Sequence, residues 1–186
     1  MWPPLFHGKT AAFGLFIAAK AILTERFRPV TETALFSSGY RHPPSAKDEM
    51  QRQKYCVYNQ TRESFLSLGV AVADTIPARL KGLIGKITLK LDEGLWVVPS
   101  RGIHTIGVLF QLDLIYLNEN HEVIHIVESF PTFRISPIIP QAASVLELPP
   151  HTIYSSQTQP GDHLLICTAE EMEHRLKTAS TNLTAK

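Results

Sequence analysis

The chain has 186 residues, 44% hydrophobic and 19% charged, with eighteen Lys/Arg against seventeen Asp/Glu and a formal net charge of +1. So even a balance leaves no dominant field to attract nucleic acid or an anionic membrane surface, and no nucleic-acid partner is expected. Two cysteines cannot build a disulfide-stapled mini-protein or a four-cysteine zinc site, and no apolar run reaches the roughly 20 residues that span a bilayer.

The charge is unevenly spread. Residues 1–54 carry eight Lys/Arg against four Asp/Glu, so they are mildly basic and the remainder mildly acidic. Ala11–Leu23 is an apolar run broken by Lys20. It fits an export signal poorly and is expected to be a short helix or an extension from a misplaced start codon. Ser37–Lys54 holds two prolines, a glycine and few apolar residues, which reads as a linker. Residues 1–54 are therefore expected to form a partly disordered N-terminal extension. A cytoplasmic location is expected, the alternative being export or membrane association through the apolar run.

From Tyr55 the pattern changes to short strands. Leu66, Leu68, Val70 and Val72 alternate with Ser67, Gly69 and Ala71, the period of a strand with one buried face. Thr75 then fits an N-cap and Pro77 a first helical turn, with Leu80, Leu83 and Ile84 at helical spacing and Gly85 closing the helix. Further strands are expected at Gly94–Val98, Ile103–Ile106, Gln111–Leu117, Glu122–Glu128, Val145–Leu148 and His163–Cys167. Asn118-Glu119-Asn120 reads as a hairpin turn. Thr168-Ala-Glu-Glu171 has the form of a capping box, opening a helix to about Lys177, with Thr178–Lys186 a frayed tail. Seven to nine short strands in about 115 residues, with one or two short helices, predict a mainly β fold: a small, mostly antiparallel barrel or sandwich. Connections this short are not expected to carry crossover helices.

Several motifs have ordinary readings. Gly82-Leu-Ile-Gly85-Lys86 lacks the glycine spacing of a phosphate loop and reads as a helix end. His121 and His125 on a strand are separated by roughly 13 Å, too far to share an ion, and no cofactor or metal is expected. Cys56 and Cys167 read as buried thiols, with a disulfide between the first and last strands the alternative in an exported protein. The sequon-like triplets at Asn59 and Asn182 are common by chance.

The segment Ser100–Leu117 differs. It sets Arg101, His104, Thr105 and Asp113 in a strongly apolar stretch, where an unpartnered polar group costs a few kcal/mol. Such groups must be satisfied by each other, by backbone, by water or by a ligand, so an internal hydrogen-bond network and a ligand site are both open readings.

The order of motifs resembles the DUF192 family of uncharacterised bacterial and archaeal proteins. The resemblance is carried by VAVADTIPARLKGLIG (70–85), EGLWVVP (93–99), IHTIGVLFQLDLIYL (103–117), ASVLELP (143–149) and GDHLLI (161–166), and covers about residues 66–167. His104 stands where many members have Trp, placing the chain with a His-Thr-x-Gly branch, and Val108 and Gln111 depart from the usual Met or Thr and Pro. The resemblance implies a small β domain at 55–167 but no reaction. The expected function is thus a binding or accessory module for an unknown small molecule or protein, with Arg101, His104, Thr105, Asp113 and Glu147 as candidate ligand-binding residues. The alternatives are a structural or protein-interaction domain, or a hydrolase-type enzyme using His104 oriented by Asp113, or an Asp113/Glu147 pair.

Overall fold

The structure, a computed structural model, describes residues 53–184, so the expectations for residues 1–52 and for the last two residues lie outside it. The elements in chain order are β1 (Tyr55–Asn59), β2 (Ser64–Ala73), α1 (Ile76–Lys81), β3 (Glu93–Val97), β4 (Leu112–Leu117), β5 (Val123–Phe130), β6 (Ser144–Leu148), α2 (Thr152–Ser156), β7 (Leu164–Thr168) and α3 (Ala169–Thr184). The seven strands form one mixed sheet in the order β5-β4-β6-β3-β2-β1-β7. Every strand pair is antiparallel except β2 with β3. The β2–α1–β3 connection is therefore a crossover carrying a helix, contrary to the expectation from connection length. The 19 residues between the strands suffice for a two-turn helix and a return loop.

The sheet curls until its edges meet at one end. Glu122, just before β5, bridges His163, just before β7. The N–H of Val123 donates to the Asp162 carbonyl at 2.8 Å, that of Gly161 to Val123 at 2.7 Å and that of Leu164 to His121 at 3.0 Å. The result is a half-barrel, closed at that end.

Strand alternation sorts the core into two faces. Leu95, Val97, Leu112, Leu114, Tyr116 and Val145 pack on one, together with Leu83 and Leu89 from the crossover. Val57, Leu66, Val70, Ile115, Leu117, Leu146 and Leu148 pack on the other, where Ile153 of α2 joins them. β4 and β6 are buried along their whole length. Each buried Leu or Ile there contributes about 1.5–3 kcal/mol relative to exposure.

Several local expectations need correction. Thr75 does cap α1, its Oγ1 accepting from the Ala78 N–H at 3.3 Å, but the helix closes at Gly82 rather than Gly85. Gly82 takes a positive φ of 45°, a conformation cheap only for glycine, and reaches it three residues earlier. Ile103–Ile106 is not a strand; only an isolated bridge between His104 and Ile135 remains. Prolines 131, 137 and 140, which cannot donate to a ladder, interrupt the facing segment. α2 was not foreseen, and α3 continues past Lys177 to Thr184, with the Thr178 hydroxyl bonded to the His174 carbonyl at 3.0 Å. Among the described residues there are thus three helices where one or two were expected. α3 belongs to a unit separate from the β-domain, which ends at Thr168.

Cys56 and Cys167 lie directly opposite each other on β1 and β7 as buried thiols without a disulfide. Burial, reinforced by the neighbouring Cys167, pushes the Cys56 thiol up to about 12. Asn59 is fully buried, with its amide donating to Thr158 and Asp162 and its oxygen accepting from the N–H groups of Thr61 and Arg62, so its sequon has no free acceptor nitrogen. That network joins the β1–β2 turn to the loop before β7. Burial pushes the Asp162 carboxyl up, but the hydrogen bonds from Asn59 and Arg62 outweigh it and hold the group below the usual carboxylate range.

Gly94 sits where three strands crowd. A Cβ there would lie 2.8 Å from Leu148 Cδ2 and 3.1 Å from both the Glu147 carbonyl oxygen and Val70 Cγ2. The leucine tip can move aside but the strand carbonyl cannot. Gly94→Ala is expected to destabilise the domain by about 1–3 kcal/mol. Urea denaturation should show a lower midpoint at unchanged slope, and an unchanged midpoint would refute this account of the packing.

Candidate functional site

The polar residues of the central segment divide between two environments. After β3 the chain runs irregularly and pairs with the segment after β5. Thr105 N–H donates to the Arg134 carbonyl at 2.8 Å, Phe133 N–H to Thr105 at 3.0 Å, Ser136 N–H to Ile103 at 2.9 Å and Ile139 N–H to Arg101 at 2.8 Å. This pairing fixes Arg101, Ile103 and His104 along one wall of a cavity of about 780 Å³.

Thr105 takes no part in that cavity. It is fully buried, with its hydroxyl donating to the Pro131 carbonyl at 2.8 Å and accepting from the Arg134 N–H at 3.0 Å. Asp113 is likewise fully buried and fully occupied. Its Oδ1 accepts from the Ser129 N–H and its Oδ2 from the Ile153 N–H, each at 2.9 Å. Ser129 has a positive φ of 50°, and the β4–β5 register slips between Leu112 and Leu114, so Asp113 holds a bulge on β5 with one oxygen. With the other it satisfies an N–H in the first turn of α2, whose own N-cap residue, His151, makes no side-chain cap.

Glu147 has the opposite surroundings. On β6 it stands opposite Leu95 of β3 and Leu114 of β4, whereas Asp113 stands opposite Leu148. Residues directly opposed share a face, so the two carboxyl groups lie on opposite faces of the sheet. They cannot act as a pair, and Asp113, with both oxygens held by backbone, does not orient His104. Glu147 is 5% exposed, lines the cavity and makes no hydrogen bond or ion pair with any described residue. Burial alone pushes its carboxyl up to about 8. His104 also lines the cavity, and its Nδ1 is buried without a partner. Glu147 and His104 therefore line one space.

Much of the remaining wall is apolar, with Leu83, Val97, Ile103 and Val108 all buried. Arg79 of α1 and Glu119 of the β4–β5 turn also line the cavity and were missed in the sequence. Arg79 carries no signal of its own in the sequence; only the crossover brings it beside Pro99, whose carbonyl accepts from its Nη1 at 3.0 Å. Among the described residues no group of three His, Cys, Asp or Glu is arranged to hold a metal ion, and no helix is long and apolar enough to cross a membrane. His121 and His125 lie apart in the turn and on β5, each in edge contact with an aromatic ring, Trp96 and Tyr116 respectively.

The sequence model of the DUF192 family, described as an uncharacterized ACR, matches residues 57–166. The chain belongs to this family. No curated protein matches the DUF192 chain. Two solved structures share its fold. A protein of unknown function from Novosphingobium aromaticivorans is 19% identical with a TM-score of 0.54, over 74% of this chain and 99% of its own. A candidate transcription regulator from Sinorhizobium meliloti is 21% identical with a TM-score of 0.52, over 61% of this chain and 92% of its own.

The two carboxyl groups of the DUF192 domain predict opposite behaviour. Asp113→Ala would strand two buried N–H groups and is expected to cost about 3 kcal/mol, with Asp113→Asn, which keeps one acceptor oxygen, costing less. Equal unfolding midpoints for wild type and Asp113→Ala would refute the role assigned to it. For Glu147 the folded group titrates near 8 against an ordinary value of 4.5. Below that ordinary value both states hold the proton. Between the two values the unfolded chain releases it and the folded chain does not, so stability falls as pH rises, by up to about 1.4 kcal/mol per unit. Glu147→Gln removes this contribution, and its unfolding free energy should decline less than that of wild type between pH 5 and about 8. Parallel pH profiles for the two proteins would contradict the burial argument.

Proposed function

We propose that the DUF192 domain of this protein is a binding module whose cavity takes a small polar or amphipathic molecule. The observation that carries this reading is Glu147, a carboxyl group buried in the cavity wall with no partner among the described residues. A buried polar group without a hydrogen bond costs on the order of 1–3 kcal/mol, and a ligand that supplies the bond recovers it. His104, which lines the same cavity, supports the same reading. Arg101, His104 and Glu147 are then the ligand-contacting members of the candidate set, while Thr105 and Asp113 maintain the framework. No pairing of His104 with a second acid–base group supports the enzyme reading.

A second reading, a protein-interaction surface, draws on a different observation. Ile106, Leu109, Phe133, Ile135 and Ile138 are all more than half exposed on the two paired segments beside the cavity. Such apolar residues on neighbouring loops suit a protein partner.

A thermal-shift screen across sugars, nucleotides, amino acids, organic acids and metal salts tests the first reading. A ligand at about a hundred times its Kd adds about 2.7 kcal/mol to stability, which reads as a rise of several degrees in Tm. The rise is expected in wild type and is expected to shrink in both His104→Ala and Glu147→Leu. A screen without a hit, or hits that persist undiminished in both variants, would remove the basis for a ligand cavity and favour the interaction surface.

A further inference from the structure

The charges around the cavity narrow the class of ligand, an inference that rests on the reading of the cavity as a binding site. Two guanidinium groups line it, Arg79 from α1 and Arg101 from the segment after β3. Neither has a carboxylate partner among the described residues. Arg79 makes one hydrogen bond, to the Pro99 carbonyl, and Arg101 is solvent-exposed. Glu119, the other charged residue in the lining, is exposed on the turn after β4 and bonds to neither arginine. Apart from Glu147, the charged side chains of the lining are two arginines against one glutamate, a net positive charge. The lining also holds the buried apolar side chains of Leu83, Val97, Ile103 and Val108 and the buried carboxyl of Glu147. A volume of about 780 Å³ falls within the roughly 300–1,000 Å³ of small-molecule sites.

We propose that the cavity takes a small organic anion with an apolar body. Its acidic head lies at Arg79 and Arg101, and a hydrogen-bonding oxygen at its far end accepts from the Glu147 carboxyl. Guanidinium groups favour carboxylate and phosphate heads through paired N–H donors. A cationic ligand would meet two like charges in the lining and would need Glu147 ionised in an apolar wall. The groups facing Glu147 oppose that ionisation only through burial: Leu95 from β3 and Leu114 from β4 on its own face, with Arg79, Arg101, His104 and Glu119 as the charged or titratable members of the cavity. The carboxyl keeps its proton up to about 8 and so serves as a donor at neutral pH.

Four probes built on one phenyl ring separate the terms: para-hydroxyphenylpropanoate, which has head, body and distal oxygen; phenylpropanoate, which lacks the oxygen; para-ethylphenol, which lacks the head; and tyramine, in which the head is a cation. Calorimetric titration of the full chain should rank para-hydroxyphenylpropanoate first, about tenfold or more above para-ethylphenol and tyramine. Exposed Arg101, changed to Gln, should remove most of that preference without altering the fold. Above pH 8 the affinity for para-hydroxyphenylpropanoate should fall by up to about tenfold per unit, because the ligand binds the protonated acid. That for phenylpropanoate should not fall. Glu147→Gln keeps an N–H donor and loses the proton, so it should still bind but lose the pH step. Tighter binding of tyramine, an Arg101→Gln variant with unchanged preference, or binding of none of the four would overturn the anion class. The first two of these results leave the cavity standing as a binding site; after the third, the broader screen above decides that question independently.

Discussion

The arrangement of the domain depends on one buried carboxylate. Asp113, the second residue of a strand with no exposed position, accepts one hydrogen bond from a bulge on β5 and another from the first turn of α2. Both donors would otherwise be orphaned backbone groups, the bulge because it leaves the ladder and the helix because its first turn has no internal partner. A single side chain thereby joins two elements that lie 16 and 40 residues away in the chain. Charge-assisted bonds of this kind are stronger than neutral ones, which is how an ionisable group can occupy the core.

The alternation of β4 and β6 then sets the other carboxyl apart. Asp113 lies on the face that carries α2, and Glu147 on the face that carries the crossover and the cavity. The same chemical group is structural on one side and unsatisfied on the other, solely because backbone donors reach one and apolar side chains surround its counterpart. The mixed topology contributes as well. The parallel β2–β3 pair forces the chain across the sheet, and that crossover supplies Arg79 and Leu83 to the cavity.

Much of the fold was legible in residue patterns. The alternation of Leu66, Leu68, Val70 and Val72, the Asn118–Asn120 turn, the Thr75 cap and the capping sequence at Thr168 mark elements that start within a residue or two of their expected places. Those signals are local, because strand period, turn chemistry and caps act within a few residues. The unreadable elements had distant causes. α2 is satisfied by Asp113, forty residues upstream, and the irregular path at 103–106 is dictated by a proline-rich segment some thirty residues downstream. The candidate set was legible as a list of polar residues in apolar surroundings, but not as a site, because a sequence does not tell which of them find backbone partners.

By itself the sequence determined the class of the domain, its strands and turns, its family and the residues whose polarity needed an explanation. Hydrophobic period, turn residues and capping pairs carry that information in nearest neighbours. Tertiary structure alone decided that Thr105 and Asp113 are held by backbone, that Arg101, His104 and Glu147 face one cavity, and that Arg79 joins them. The reason is physical: whether a buried polar group is a strut or a site depends on which donors and acceptors the rest of the fold brings within about 3 Å of it.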